Sequence, residues 1–173
     1  NEMDAWIRMT TMENWDDFTS AVKRFGVPGQ NIVYADIKGN IGWRPAVFVP
    51  LRKEGFSMLP RPGHKKEYDW AGKVPFGKMP YLYNPDKGFI VTANNRTIGD
   101  GFPYYISGLW ADPSRGDRLN DLLGQKKMLK MEDMKKAQLD YQSNFALDVL
   151  PYILQAGVGE LSKGQRVAYD YIG

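Results

Sequence analysis

The chain has no cysteine and only one histidine in its 173 residues. The first absence excludes disulfides, thiolate metal sites and a cysteine nucleophile together, while leaving the compartment open. The second excludes a two-histidine zinc site. His64 lies in a Pro-Gly-His-Lys-Lys stretch, so a Ser-His-Asp triad would have to be built on a solvated loop. Apolar runs such as Ala46–Leu51 reach six residues, far short of the roughly 18 that a membrane-spanning helix needs. The first residues show no basic-then-apolar secretion pattern. No Gly-x-Gly-x-x-Gly or Walker loop is present to cradle a phosphate.

What is present is an ordinary globular mixture, 43% hydrophobic and 25% charged, with a formal charge of +3. The excess of base is concentrated in residues 31–96, which carry eleven basic and five acidic side chains. Spread over a loop-rich stretch, it reads as a solvated surface. A nucleic-acid footprint would place Lys and Arg on one face among stacking aromatics, and Lys65-Lys66 and Lys126-Lys127 are too short and scattered for that. No nucleic acid or membrane is expected as a partner.

Three textures follow one another along the chain. Asn1 to about Phe25 reads as helical. Asn14 is a good N-cap with Asp17 three residues on, Trp15, Phe18, Val22 and Phe25 recur at helical spacing, and Gly26 stands where a left-handed C-cap belongs. A β-hairpin is predicted next, Asn31–Ile37 and Asn40–Val49 around Lys38-Gly39. Gly42 and Pro45 imply that its second strand is bulged, or is an edge from Pro45 onward. Two strands do not stand alone in water, so a larger sheet is expected. The stretch from Pro50 to about Pro113 is rich in tyrosine and tryptophan, and nine of the eleven prolines lie between Pro45 and Pro113. Only Phe89–Thr92 reads as a further strand there. Such a long irregular stretch signals a functional loop region or a segment wrapped over a partner. Helices are predicted from Ser114 or Asp112 through Leu123, over Met131–Tyr141, over Phe145–Gln155 with a kink or break near Pro151, and from Ser162 onward. The chain reads as a segment of a larger fold, without separate domains.

Few residues offer chemistry. Glu67 and Asp69 flank Tyr68 as a conceivable acid/base pair, or simply pair with Lys65 and Lys66. Asn94-Asn95-Arg96 follows the apolar run Phe89–Thr92. An amide at a strand end is a plausible oxyanion donor, and asparagines there equally make a turn. Arg115 opens a helix after Trp110 and Pro113, where its fork of donors could orient a carboxylate or sit in a surface ion pair.

At these residues the sequence resembles the penicillin acylase (penicillin amidase) family of N-terminal nucleophile hydrolases, which includes cephalosporin and acyl-homoserine-lactone acylases. The resemblance runs through Tyr34-Ala-Asp-Ile-Lys-Gly-Asn-Ile-Gly-Trp43, Leu59-Pro-Arg-Pro-Gly63, Tyr68-Asp-Trp-Ala-Gly72, Val74-Pro-Phe76 and Tyr83-Asn-Pro85. It continues with Gly88-Phe-Ile-Val-Thr-Ala-Asn-Asn95, Phe102-Pro-Tyr104 and Trp110…Arg115…Leu122-Leu123. Order and spacing match over about Trp15–Leu154.

The resemblance implies an α+β fold class, a segment of the four-layer αββα sandwich, taken from inside the larger (beta) chain of a precursor that cuts itself in two. It implies hydrolysis of the linear amide of an acyl side chain, of penicillin, cephalosporin or acyl-homoserine-lactone type. The nucleophile would be an N-terminal serine with its own α-amino group as base. Residue 1 is Asn and all six serines are internal, so the isolated chain is expected to be inactive. The first asparagine of the family's pair falls on Asn94, an oxyanion donor working with a backbone N–H from elsewhere; Asn95 is the adjacent match. The arginine before the Leu-Leu helix falls on Arg115, close to the nucleophile in the family. Expected partners are a small acyl-amide substrate and the remainder of the parent acylase (alpha chain and rest of the beta chain), in the periplasm or secreted. No cofactor is expected for catalysis. Related enzymes hold a structural calcium, but Tyr104–Leu109, where they place an aspartate, contains no acid, and a carbonyl near Ser57 matches another ligand by position alone. An aromatic-rich, non-catalytic ligand-binding module and a degenerate acylase homologue are the alternative readings.

Overall fold

The computed structural model describes residues 2–53, 58–125, 128–156, 159 and 161–172. The chain forms two compact units, one of residues 1–92 and 96–110, the other of residues 93–95 and 111–173.

The first unit begins with two short helices, α1 (Glu2–Met9) and α2 (Trp15–Val22). Asn14 caps α2 as its sequence suggests: its Oδ1 accepts from the Asp17 N–H at 2.9 Å, and Asp17 Oδ2 accepts from the Glu13 N–H at 3.1 Å. The expected left-handed Gly26 cap is not formed. The helix ends at Val22 with Lys23 as its right-handed C-cap, and Gly26 is not among the positive-φ residues. Gly26 serves proximity instead, since a Cβ there would lie 2.8 Å from the Phe48 ring.

The hairpin forms from β1 (Gln30–Ala35) and β2 (Ile41–Ala46) in unbroken antiparallel register, Gln30 opposite Ala46 and Ala35 opposite Ile41. No bulge occurs at Gly42 or Pro45. The turn is wider than Lys38-Gly39: the Asp36 N–H donates to the Asn40 carbonyl at 3.0 Å, and Gly39 adopts φ +86. Asp36 organises that turn from within. Its Oδ1 accepts from the Lys38 and Asn40 N–H groups, each at 2.9 Å, and its Oδ2 from Tyr34 Oη at 2.9 Å and Asn40 Nδ2 at 2.8 Å. Led by the Asn40 side chain, these bonds hold the Asp36 carboxyl down at about 2. Burial first, then the bond to Asp36, pushes the Tyr34 phenol up to about 12.

Beyond Ala46 the chain adds only short strands. Strands β3 (Pro50–Arg52) and β4 (Trp70–Lys73) pair antiparallel as a separate two-stranded sheet, and β5 (Leu82–Tyr83) joins β2 opposite Gly42 and Trp43. The Asn84 N–H donates to the Ile41 carbonyl at 2.8 Å, so odd-numbered residues of β2 face β5. Pro45, also odd-numbered, faces that same side but lies beyond the end of the two-residue β5, which pairs only with Gly42 and Trp43, so its missing N–H costs no ladder bond. Phe89–Thr92 is not a strand; among the described residues no neighbouring strand pairs with it, and an extended run becomes β only through a ladder.

The main core joins Ala5, Phe18, Val22, Phe25, Tyr34 and Ala46, with Trp15 against it. Trp15 stacks on Tyr83 at 4.7 Å and lies 5.2 Å from Phe18. Its indole presses on the bare face of Gly42, where a Cβ would fall 2.2 Å from a ring carbon. Arg44 of β2, 7% exposed, is held between the rings of Phe76 and Tyr81 at 4.5 and 4.6 Å, with an Nη1 bond to the Phe76 carbonyl at 3.4 Å.

The second unit is helical: α3 (Ser114–Gly124), α4 (Met131–Gln138), α5 (Asn144–Ala156) and α6 (Lys163–Ile172). The Ser114 N–H donates to Asp112 Oδ1 at 2.9 Å, so Asp112 is the side chain that ties the start of α3. Arg118 grips Asp140 through two bonds, Nε to Oδ1 at 2.9 Å, and the pair holds the Asp140 carboxyl below its usual range. The α4 helix stops three residues before Tyr141, and α5 runs through Pro151 without a break. Ser162 and Gln165 form a capping box at α6, with bonds of 2.9 and 3.4 Å. Tyr169 Oη ties α6 to the Leu154 carbonyl of α5 at 2.6 Å.

The first unit offers two tests. Gly42→Ala overpacks the Trp15 contact and is expected to destabilise the protein by about 1–3 kcal/mol in denaturant unfolding. Asp36, depressed in the folded state, stabilises above its unfolded value of about 4 and loses that contribution as pH falls towards about 2. Tyr34, raised, stabilises below pH about 10 and loses its contribution as pH climbs to about 12. Stability measured across pH should therefore fall at both ends, and Asp36→Asn should flatten the acid limb.

Candidate active site

The Ala93–Asn95 turn and the first turn of α3 belong to the same unit. Asn94 takes φ +61, the left-handed region, which asparagine tolerates better than most residues with a Cβ. The turn is tied from several sides. Arg115 Nη2 donates to the Ala93 carbonyl and to Asn94 Oδ1, both at 2.8 Å. The Ala111 N–H donates to the Asn94 carbonyl at 3.0 Å, and the Ala93 N–H to Asn95 Oδ1 at 2.9 Å.

The chemistry of Arg115 settles which way the Asn94 amide faces. A guanidinium has donors and no acceptor, so the atom that meets it is the amide oxygen. The Asn94 Nδ2 group is left on the other side, exposed, with no acceptor among the described residues. Arg115 is itself exposed and pairs with no carboxylate among the described residues, so its Nε and Nη1 donors stay open. The sequence-predicted Asn94 and Arg115 are thus brought together, and the turn and the amide donor coexist at one place.

The other sequence candidates belong to the first unit. His64 is exposed, and Glu67 sits on a short 3-10 turn (Lys66–Tyr68) in an exposed pair with Lys65 at 3.6 Å. Tyr104–Leu109 offers no carboxylate, and no group of three or more His, Cys, Asp or Glu side chains among the described residues is arranged to hold a metal ion. Ser57 and the Lys126-Lys127 pair lie outside the described residues. The aromatic middle builds a cavity of about 470 Å³ inside the first unit, lined by Phe102, Tyr104, Tyr105, Ile106 and Trp110 with Arg96. Arg96 is tied there to Asp100 at 2.7 Å. What the sequence did not reveal is Gly116, buried directly after Arg115, against which the Asn95 amide lies. Its only signal is a glycine in the first turn of a helix, where propensity alone disfavours one.

The architecture mixes helix and strand. It superposes on a thermostable penicillin G acylase from Alcaligenes faecalis with a TM-score of 0.71 at 24% identity, over 92% of this chain and 29% of that one. The penicillin amidase family model matches residues 1–171, and the chain belongs to that family. It is 36% identical over 125 residues to the acyl-homoserine lactone acylase QuiP of Pseudomonas fluorescens strain Pf0-1, covering 72% of this chain and 15% of that protein. It is 34% identical over 128 residues to penicillin G acylase of Escherichia coli, with coverage of 72% and 15%. The chain spans 15% of the length of each of these two curated relatives.

Proposed function

We propose that this chain supplies the oxyanion-stabilising part of an acyl-amide hydrolase. A serine at the N-terminus of the catalytic chain, outside this segment, attacks the amide carbonyl, with its own α-amino group taking the hydroxyl proton. As the C–O bond forms, the carbonyl π pair moves onto oxygen, and Asn94 Nδ2 donates to that oxyanion together with a backbone N–H from elsewhere in the parent protein. Collapse of the tetrahedral intermediate expels the amine, which takes up the proton, and water then releases the acid. Asn94 suits this role because a carboxamide places an N–H at the developing charge without adding a titrating group of its own.

The observation that carries the reading is the pair of Arg115 bonds, 2.8 Å to the Ala93 carbonyl and 2.8 Å to Asn94 Oδ1. They fix the amide before any charge develops, and such preorganisation is the source of oxyanion stabilisation. Membership of the penicillin amidase family supports the same assignment. The substrate is an amide of penicillin, cephalosporin or acyl-homoserine-lactone type. The proposed steps use no cofactor, and the parent acylase would act in the periplasm or outside the cell.

Two substitutions in the full-length protein test this. Asn94→Ala is expected to lower kcat by about 10²–10³ with folding intact; near-normal turnover would refute the role. Arg115→Lys replaces a planar fork by a point charge and should lower kcat by roughly tenfold. Unaltered kinetics in that variant would remove Arg115 from the site.

A further inference from the structure

We infer that Asn95 and Gly116 are positioning residues that hold the Ala93–Asn95 turn so that the Asn94 carboxamide is presented correctly. This rests on the assignment of Asn94 made above. Asn94 occupies the left-handed region, which asparagine visits readily but holds as one fixed conformation only where its neighbours are tied. Arg115 ties the carbonyl of Ala93; Asn95 ties its N–H, through Oδ1 at 2.9 Å. Both polar groups of Ala93 are therefore engaged, one by each neighbour, and the residue that follows has little freedom to rotate.

Asn95 reaches its position because α3 is bare at Gly116. A Cβ there would lie 3.2 Å from Asn95 Cγ, 3.2 Å from Oδ1 and 3.6 Å from Nδ2, so the whole amide plane rests on the helix backbone. Gly116 is buried beneath it. Adjacent residues of one helix thus act on one turn, Arg115 by offering a donor and Gly116 by offering space. Neither Asn95 nor Gly116 touches the reacting carbonyl; both act through Asn94.

The experiment compares Asn95→Ala, Asn95→Asp and Gly116→Ala with Asn94→Ala in the full-length protein. Initial rates are read on acyl p-nitroanilides and an acyl-homoserine lactone, with a thermal melt of each variant. Asn95→Ala is expected to lower kcat by roughly tenfold or more, the scale set by small misplacements of a catalytic group. KM should stay within about twofold, because the lost interaction is one felt in the transition state. Asn95→Asp keeps an acceptor for the Ala93 N–H and should recover most of the rate. Gly116→Ala improves the intrinsic preference for helix, yet it should lower kcat by pushing the Asn95 amide aside without lowering the melting temperature. Wild-type kcat in Asn95→Ala, or equal losses in its Ala and Asp forms, overturns the positioning role. If Asn95→Ala does not fold, wild-type kcat in Gly116→Ala overturns it. An impaired Asn94→Ala beside a normal Asn95→Ala refutes this inference alone, whereas a normal Asn94→Ala refutes the reading on which it rests.

Discussion

Because a guanidinium can only donate, its contact with the Asn94 side chain does more than add a hydrogen bond. It excludes one of the two rotations of the amide and turns the nitrogen outward. The same Nη2 atom also holds the preceding carbonyl, so backbone and side chain of the turn are fixed by one group on one helix. That arrangement makes the placement of α3 the controlling variable of the site. Asp112 at the start of α3 and the Arg118–Asp140 pair on its flank secure that helix within its unit.

The first unit solves a different problem, closing a small sheet against two short helices. It does so with aromatic rings where longer strands would use ladders. Trp15 touches Phe18, Tyr34 and Tyr83 at centroid distances between 4.7 and 5.6 Å, and it reaches them only because Gly42 has no side chain. Rings packed in this way bury large areas per residue, which suits a stretch with so many prolines and so few ladder bonds.

Much of this architecture was legible in the sequence, and the failures have definite causes. The Asn14 cap, the hairpin and the four later helices were readable because each carries a local signal, whether a capping side chain, a turn glycine or a 3.6-residue period. Strands β3 and β4 were missed because three or four residues containing Pro50 or Gly72 show no alternation. Phe89–Thr92 has the composition of a strand, but strand identity depends on a partner that sequence does not display. Of the kink or break read at Pro151 the break does not occur, because proline removes one donor and the rest of α5 continues around it. Asn94 and Arg115 were singled out by the family resemblance, and the structure brings their side chains to 2.8 Å of each other. Gly116 was invisible because its contribution is an absence, apparent only once the Asn95 amide is seen lying on it.

Arg44 has one further consequence. Among the described residues its charge meets two π faces and a carbonyl and pairs with no carboxylate, so Arg44 has no carboxylate partner there to lose as the medium is acidified. The Asp36 turn at the far end of the same hairpin is built around a carboxylate and loosens in acid. One strand therefore joins an acid-labile end to an acid-indifferent one. Acidification should weaken the hairpin first at its tip, where the carboxylate sits.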